Sequence, residues 1–307
     1  MKYPINKEFF PQSHFFNPIR SARVAGWIGS LFKAPKRIFK DPDVKVTRIM
    51  IKGYQGGEFE TFLYEPKGLC EPSSCIVYIH GGGFVFGAGD YNYNIAREYC
   101  ISVGAKLLFI NYRLAPKYPH PVPVEDCYAG LRYIFENADK HGIDRAKIGV
   151  AGESAGGALS AAVCLMARDR GTDKPAFQLL IYPATDITMN TESNKRFTDT
   201  PVWNSELSKM MWPAYVPDRE RDDICYASPM QAEFFGDLPP AYVETAEFDC
   251  LHDEAIDYAD AMRKAGVDVV INETKGTMHG FDSVANAPTT QTAIKKRVEF
   301  MKKHLDI

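Results

Sequence analysis

Long apolar runs are missing from these 307 residues. Nothing approaches the roughly 18 consecutive apolar residues that cross a bilayer. The opening Met1-Lys2-Tyr3-Pro4-Ile5-Asn6-Lys7-Glu8 lacks the apolar stretch of a signal peptide. Stable membrane insertion is therefore not expected, and a cytoplasmic location is. An excess of one charge is also missing. A net charge of −3 exerts no general pull on nucleic acid and does not demand a charged substrate. The seven cysteines (70, 75, 100, 127, 164, 225, 250) are odd in number and follow no metal-ligand rhythm. No metal or other cofactor is expected. Most of the cysteines sit in apolar runs such as Cys75-Ile76-Val77, as small buried thiols of a reducing compartment do. Repeats and low-complexity segments do not occur.

What is present reads as folded protein. Hydrophobic residues make up 45% of the chain and charged residues 24%. The length suits one α/β domain, spanning 1–307, with an inserted lid. Charge is unevenly spread. Residues 1–40 carry eight Lys or Arg against the single acid Glu8, a balance of +7 that leaves −10 for the remainder. This basic, aromatic-rich arm suits a flap over the domain's own pocket better than a membrane contact or an acidic partner.

From residue 44 onward, strand-like and helix-like segments alternate. Strands are expected at 44–51, 59–65, 75–79, 107–112, 148–151, 177–182, 241–245 and 267–273. Helices are expected at 94–103, 124–138, 155–168, 252–265 and 292–304, the second with Val124, Tyr128, Leu131, Ile134 and Phe135 at helical spacing. Such alternation predicts a mostly parallel eight-stranded sheet with helices on both faces. Residues 1–43 and about 187–236 interrupt the rhythm. So long a structureless stretch is uncommon inside a compact domain. The second segment should therefore hold helices, with Asn204 to Tyr215 the best candidate, and the two should pack together as a cap.

Gly152-Glu153-Ser154-Ala155-Gly156 fits G-x-S-x-G, the turn that lifts a serine hydroxyl off a strand end in an α/β-hydrolase fold. By itself the match is weak, since three fixed positions recur by chance in about a tenth of chains this long. Its setting is specific: the strand-like Ile148-Gly149-Val150-Ala151 precedes it, and an Ala-rich helix follows. Ser154 is thus the candidate nucleophile. Its base and orienting acid should follow in the order acid, then His. His14, His80, His120 and His141 precede the serine, His252 opens a helix, and His304 sits in the last one. His279 lies past a strand's carboxyl end, where active groups collect. Asp249 holds the equivalent place after the strand at 241–245, with Asp253 as the alternative acid. His80-Gly81-Gly82-Gly83-Phe84 supplies a glycine loop after an apolar strand. The N–H groups of Gly82, Gly83 and Ala155 are the candidate oxyanion donors.

With these residues in place, the sequence resembles the hormone-sensitive-lipase-like family of α/β-hydrolase esterases over roughly 74–283. The blocks that carry the resemblance are His80 to Phe84; Tyr112-Arg113-Leu114-Ala115-Pro116 with Pro121, Pro123, Glu125 and Asp126; Gly152 to Gly157; Tyr182-Pro183; Leu238-Pro239-Pro240; Asp249 with Asp253-Glu254; and His279-Gly280-Phe281. The resemblance implies cofactor-free carboxylester hydrolysis through an acyl-enzyme, on a small-molecule ester with a short or medium acyl chain. It also implies an N-terminal cap and a structural role for Arg113 and Asp126. Three departures stand out: Glu153 where many members have Asp, Lys117 for the usual Glu, and Cys250 for the usual Pro. None removes a catalytic group.

Rival readings are an amidase or deacetylase on an N-acyl or O-acetyl group, and a receptor that keeps the fold. Such receptors tend to lose a triad member, whereas all three stand here. A third rival is an interfacial lipase anchored by Trp27, Ile28, Leu31 and Phe32. Trp203, Met210, Met211 and Trp212 are candidates to line the substrate pocket, although that spacing more often marks cap core. A homodimer stays open.

Overall fold

The computed structural model describes residues 2–19, 21–29 and 33–307. Eight strands form one sheet: β1 (Val44–Lys52), β2 (Glu58–Pro66), β3 (Ser73–Ile79), β4 (Lys106–Asn111), β5 (Ile143–Glu153), β6 (Gln178–Ile181), β7 (Ala241–Phe248) and β8 (Val269–Met278). Their order is β1-β2-β4-β3-β5-β6-β7-β8. The first two form an antiparallel hairpin, β2 is antiparallel to β4, and every later pairing is parallel. Every residue of β3 and β6 is buried, as strands covered on both faces must be. The fold is the mostly parallel eight-stranded sheet that the alternation predicts.

The helices are α1 (Ala22–Gly29), α2 (Asp90–Val103), α3 (Val122–Glu136), α4 (Ala155–Asp169), α5 (Glu192–Arg196), α6 (Ser205–Tyr215), α7 (His252–Lys264) and α8 (Pro288–Leu305). Neighbouring residues of β4 show that both faces are covered, because consecutive side chains point to opposite sides. Phe109 stacks on Tyr93 of α2, with ring centroids 4.8 Å apart. Ile110, on the other side, abuts Gly130 of α3 so closely that a Cβ there would collide with it.

Several strands outrun their predicted ends, β5 by starting at Ile143 and reaching Glu153, and two of the extensions matter for chemistry. β7 continues past Thr245 to Phe248, and β8 past Glu273 to Met278. The run Thr274-Lys275-Gly276-Thr277 looks like a loop because it is polar and contains glycine. It forms a bulge inside the strand: Thr274 pairs with Ala246, Gly276 adopts φ +68, the register shifts, and pairing resumes at Phe248 and Met278.

Segment 187–236 contains α5, α6 and short 3-10 turns at Ile224–Tyr226 and Pro229–Gln231. The N-terminal arm runs across it. Tyr3 O–H and Lys2 Nζ both donate to Asp199, and Val202 N–H donates to the Phe15 carbonyl (2.9 Å). The arm also touches the sheet end: Asn6 N–H donates to Gly276 O (2.8 Å), and Phe9 packs edge-on against Phe281. Of the residues read as a membrane anchor, Trp27 is exposed and Ile28 partly buried, while Leu31 and Phe32 lie outside the described residues. No described helix is long and apolar enough to cross a membrane. Among the described residues, no cluster of His, Cys, Asp or Glu is arranged to hold a metal ion.

Arg113 and Asp126 brace the sheet at its antiparallel end. Arg113 Nη2 lies 2.7 Å from Asp126 Oδ1, and Nε lies 2.8 Å from Oδ2. Tyr54 N–H also donates to that carboxylate (3.2 Å).

Candidate active site

β5 ends at Glu153 and α4 begins at Ala155, so Ser154 alone makes the turn, at φ +55 and ψ −121. A non-glycine residue there carries about 1–3 kcal/mol of strain and persists only if its surroundings hold it. They do. Ser154 N–H donates to Ile181 O (2.8 Å), while its carbonyl accepts from Ala158 N–H (3.0 Å) and Ala184 N–H (3.2 Å). The flanking glycines are spatial requirements. A Cβ on Gly156 would strike the Ile79 carbonyl, and one on Gly152 would strike the Gly156 carbonyl.

Because Phe248 and Met278 are partners across β7 and β8, the next residue on each strand, Asp249 and His279, leaves the sheet side by side. His279 Nδ1 lies 2.6 Å from Asp249 Oδ2, and Nε2 lies 3.0 Å from Ser154 Oγ. Asp249 is wholly buried, and Ser154 and His279 are each 6% exposed. Asp249 Oδ1 also accepts the Leu251 N–H (3.0 Å), which fixes the carboxylate plane. This is the geometry by which a carboxylate orients an imidazole and the imidazole takes a hydroxyl proton.

Asp253 and Glu254 lie elsewhere. Asp253 Oδ2 accepts Ser193 N–H (2.7 Å), and Glu254 Oε1 accepts Thr185 N–H (2.7 Å). They tie α7 to the segment around α5. Burial drives the Glu254 carboxyl well above the usual range.

The glycine loop passes beside Ser154. Gly82 and Gly83 have φ +103 and +58, and the Gly82 carbonyl turns back to accept Val85 N–H (3.1 Å) and Phe86 N–H (2.8 Å). Among the described residues, neither glycine's N–H has a backbone acceptor. Ala155 N–H opens α4, where no intrahelical acceptor exists. Among the described residues, all three N–H groups are thus without a backbone acceptor.

His80 holds this loop from below. Its ring stacks on Tyr112 at 4.5 Å, its Nδ1 lies 2.7 Å from Gly81 O, and burial pushes its pKa down to about 4. Phe84 stacks on Tyr215 at 3.8 Å.

Glu153 does more than neighbour the serine. Its buried carboxylate accepts Tyr78 O–H (2.5 Å), Gly81 N–H (2.7 Å) and Asn92 Nδ2–H (2.6 Å). Burial pushes its pKa from 4.5 up to about 7, against the pull of those three donors. The unfolded carboxyl releases its proton near 4.5 and the folded one near 7, so the folded chain holds the extra proton between them. The stability this supplies is fully present below 4.5 and lost as pH rises through 7. In urea titrations, Glu153→Gln should remove a pH dependence of roughly 3 kcal/mol across that window. Parallel profiles for the two proteins would refute the assignment.

The pocket candidates separate. Trp203 sits over the glycine loop so closely that a Cβ on Gly83 would collide with its ring, and its centroid is 6.2 Å from that of His279. Its Nε1–H donates to Ser208 Oγ (2.9 Å). Trp212 is fully buried beside the stacked Phe84 and Tyr215, and Met211 is 1% exposed. Met210, on the outer side, lines a cleft with Phe16 and Leu207.

Comparison with known proteins bears on the family and the fold. The Abhydrolase_3 family profile, described as an alpha/beta hydrolase fold, matches residues 76–283. Carboxylesterase NlhH of Mycobacterium tuberculosis is 33% identical over 249 residues, which is 80% of this chain and 77% of that protein. Esterase LipI of the same organism is 32% identical over 260 residues, covering 83% and 81%. Among solved structures, a bacterial heroin esterase superposes with a TM-score of 0.89 at 31% identity, covering 99% of each chain. A carboxyl esterase from the fungus Tuber melanosporum gives 0.81 at 30% identity, covering 94% of this chain and 99% of its own.

Proposed function

The chain belongs to the Abhydrolase_3 family of α/β-hydrolases and is a carboxylic ester hydrolase; on that premise we propose that Ser154, His279 and Asp249 are its catalytic triad. The observation that carries the reading is the continuous contact from Asp249 Oδ2 through His279 to Ser154 Oγ, 2.6 Å and then 3.0 Å.

His279 Nε2 takes the Ser154 proton as Oγ attacks the ester carbonyl. The oxyanion rests on the N–H groups of Gly82, Gly83 and Ala155, and the α4 N-terminus adds its dipole. The imidazolium, stabilised by Asp249, then protonates the departing alcohol. Water repeats the sequence on the acyl-enzyme and releases the acid.

Residues 1–43 and 187–236 act as the cap. The contacts of Tyr3 and Phe15 with 199–202 support this, since they join the two segments beside the site. The substrate is a small ester with a short or medium acyl chain. Trp203 supports that length, because its ring closes over Gly83 and leaves little room above the loop.

A series of p-nitrophenyl esters from acetate to palmitate tests the substrate class. kcat/KM should peak at or below octanoate and fall by about tenfold or more for palmitate. A rate that climbs steeply above substrate solubility would instead identify an interfacial lipase. A matched amide hydrolysed as fast as its ester would point to an amidase.

A further inference from the structure

Beside the triad runs a row of buried polar side chains that none of these steps uses. Tyr182 packs its ring against the His279 imidazole, centroids 4.6 Å apart. Its O–H donates to Asp282 Oδ1 (2.6 Å). Asp282 Oδ2 accepts from Arg297 Nη1 (2.7 Å), which also donates to Tyr99 Oη (3.1 Å). Arg297 Nε and Nη2 then reach Glu244 Oε1, whose other oxygen accepts from Tyr242 O–H and Asn272 Nδ2–H, both 2.9 Å. Tyr182, Asp282, Arg297 and Glu244 are all no more than 2% exposed.

Burying two carboxylates around one guanidinium is a costly way to gain stability, since well-packed apolar residues often do as well or better. The ends of the row suggest what it does instead. Asp282 lies three residues beyond His279, and Glu244 lies on β7 five residues before Asp249. Tyr182 itself is held at φ +33, where its N–H donates to the Glu244 carbonyl (2.6 Å). The row therefore joins the loop that carries the base to the strand that carries the acid, and Tyr182 links it to the imidazole face.

We propose that Tyr182 and Asp282 are positioning residues for His279, with the Tyr182–Asp282 hydrogen bond, locked by Arg297, setting the angle of the imidazole between Ser154 and the leaving alcohol. The inference rests on the triad reading above. The imidazole serves two oxygens in turn, so a small error in its angle acts directly on the chemical steps. The charged and titratable groups facing this assembly are Asp249, Asp282, Arg297, Glu244, Tyr91, Tyr99 and Tyr242, with Glu153 beyond Tyr91.

The test is a double-mutant cycle of Tyr182→Phe and Asp282→Asn on p-nitrophenyl butyrate, with competent sites counted by a fluorophosphonate probe. Per competent site, each single change should lower kcat about tenfold and leave KM within about twofold. The double variant should be no worse than the poorer single, because both cut one tether. The acidic limb of kcat/KM should move to lower pH in Asp282→Asn, which removes a negative charge near the imidazolium, and to higher pH in Tyr182→Phe, which uncovers that charge. Wild-type kcat per competent site with an unmoved limb would overturn the proposal. If Asp282→Asn does not fold, Tyr182→Phe decides by the same two readouts. An active Ser154→Ala would sink the triad reading instead, so the two failures are distinguishable.

Discussion

Ser154→Ala should lower kcat toward p-nitrophenyl butyrate by about 10⁴- to 10⁶-fold, to the level that oxyanion donors and binding sustain without a nucleophile. The magnitude is large because Oγ forms the covalent bond, so the acyl-enzyme route closes altogether. The fold should survive. The Ser154 turn is held by its backbone, through Ile181, Ala158 and Ala184, whereas among the described residues Oγ hydrogen-bonds only to His279 Nε2. Circular dichroism and the thermal midpoint should therefore match the parent protein. Substantial remaining activity in a folded variant would move the nucleophile elsewhere.

Asp249→Asn should cost about 10⁴-fold in kcat, with Asp253→Asn close to the parent enzyme. The asymmetry follows from what each carboxylate touches. Asp249 Oδ2 faces His279 Nδ1 at 2.6 Å, and Leu251 N–H fixes its other oxygen. An amide in that place turns an N–H toward Nδ1 or leaves it unpaired. Either way it favours the tautomer that cannot accept the serine proton, and the imidazolium loses its counter-charge. Asp253 instead receives Ser193 N–H. Its amide should cost stability at the α5 contact, visible as a lower thermal midpoint with little change in kcat. Equal kinetic losses in the two variants would contradict the assignment.

How far the sequence reaches differs between parts of the site. The turn at Ser154 is legible because its causes are local. Gly152 is forced by the Gly156 carbonyl four residues on, and the flanking strand and helix are written in neighbouring side chains; only Gly156 answers to a distant neighbour, the Ile79 carbonyl at the end of β3. Asp249 and His279 are legible for a related reason: chain order and position past a strand leave few alternatives. The extent of β7 and β8 is not legible. Thr274 to Thr277 are too polar to read as strand, and β8 continues through them only because pairing with β7 on either side of the bulge, at Thr274 and Met278, carries it on.

Arg297 shows the limit most clearly. In the terminal helix it reads as one more surface cation among Lys295, Lys296 and Lys302. It is buried because Glu244, on a strand 53 residues away in sequence, and Asp282 meet it in the interior. Glu153 is similar, since its part in holding Gly81 depends on Tyr78 and Asn92 arriving from separate elements. Trp203 and Trp212 look alike as cap aromatics, yet one overlies Gly83 and the other fills the space behind Phe84.

The amino-acid sequence alone thus specified the alternating sheet, the serine turn, the glycine loop and the order of acid and base. Each of these depends on backbone sterics or periodicity over a few residues. Which carboxylates are buried, what packs against the imidazole and what overlies the glycine loop were decided only by tertiary structure. Those properties come from desolvation and pairing between side chains far apart in the chain, and no local pattern encodes them.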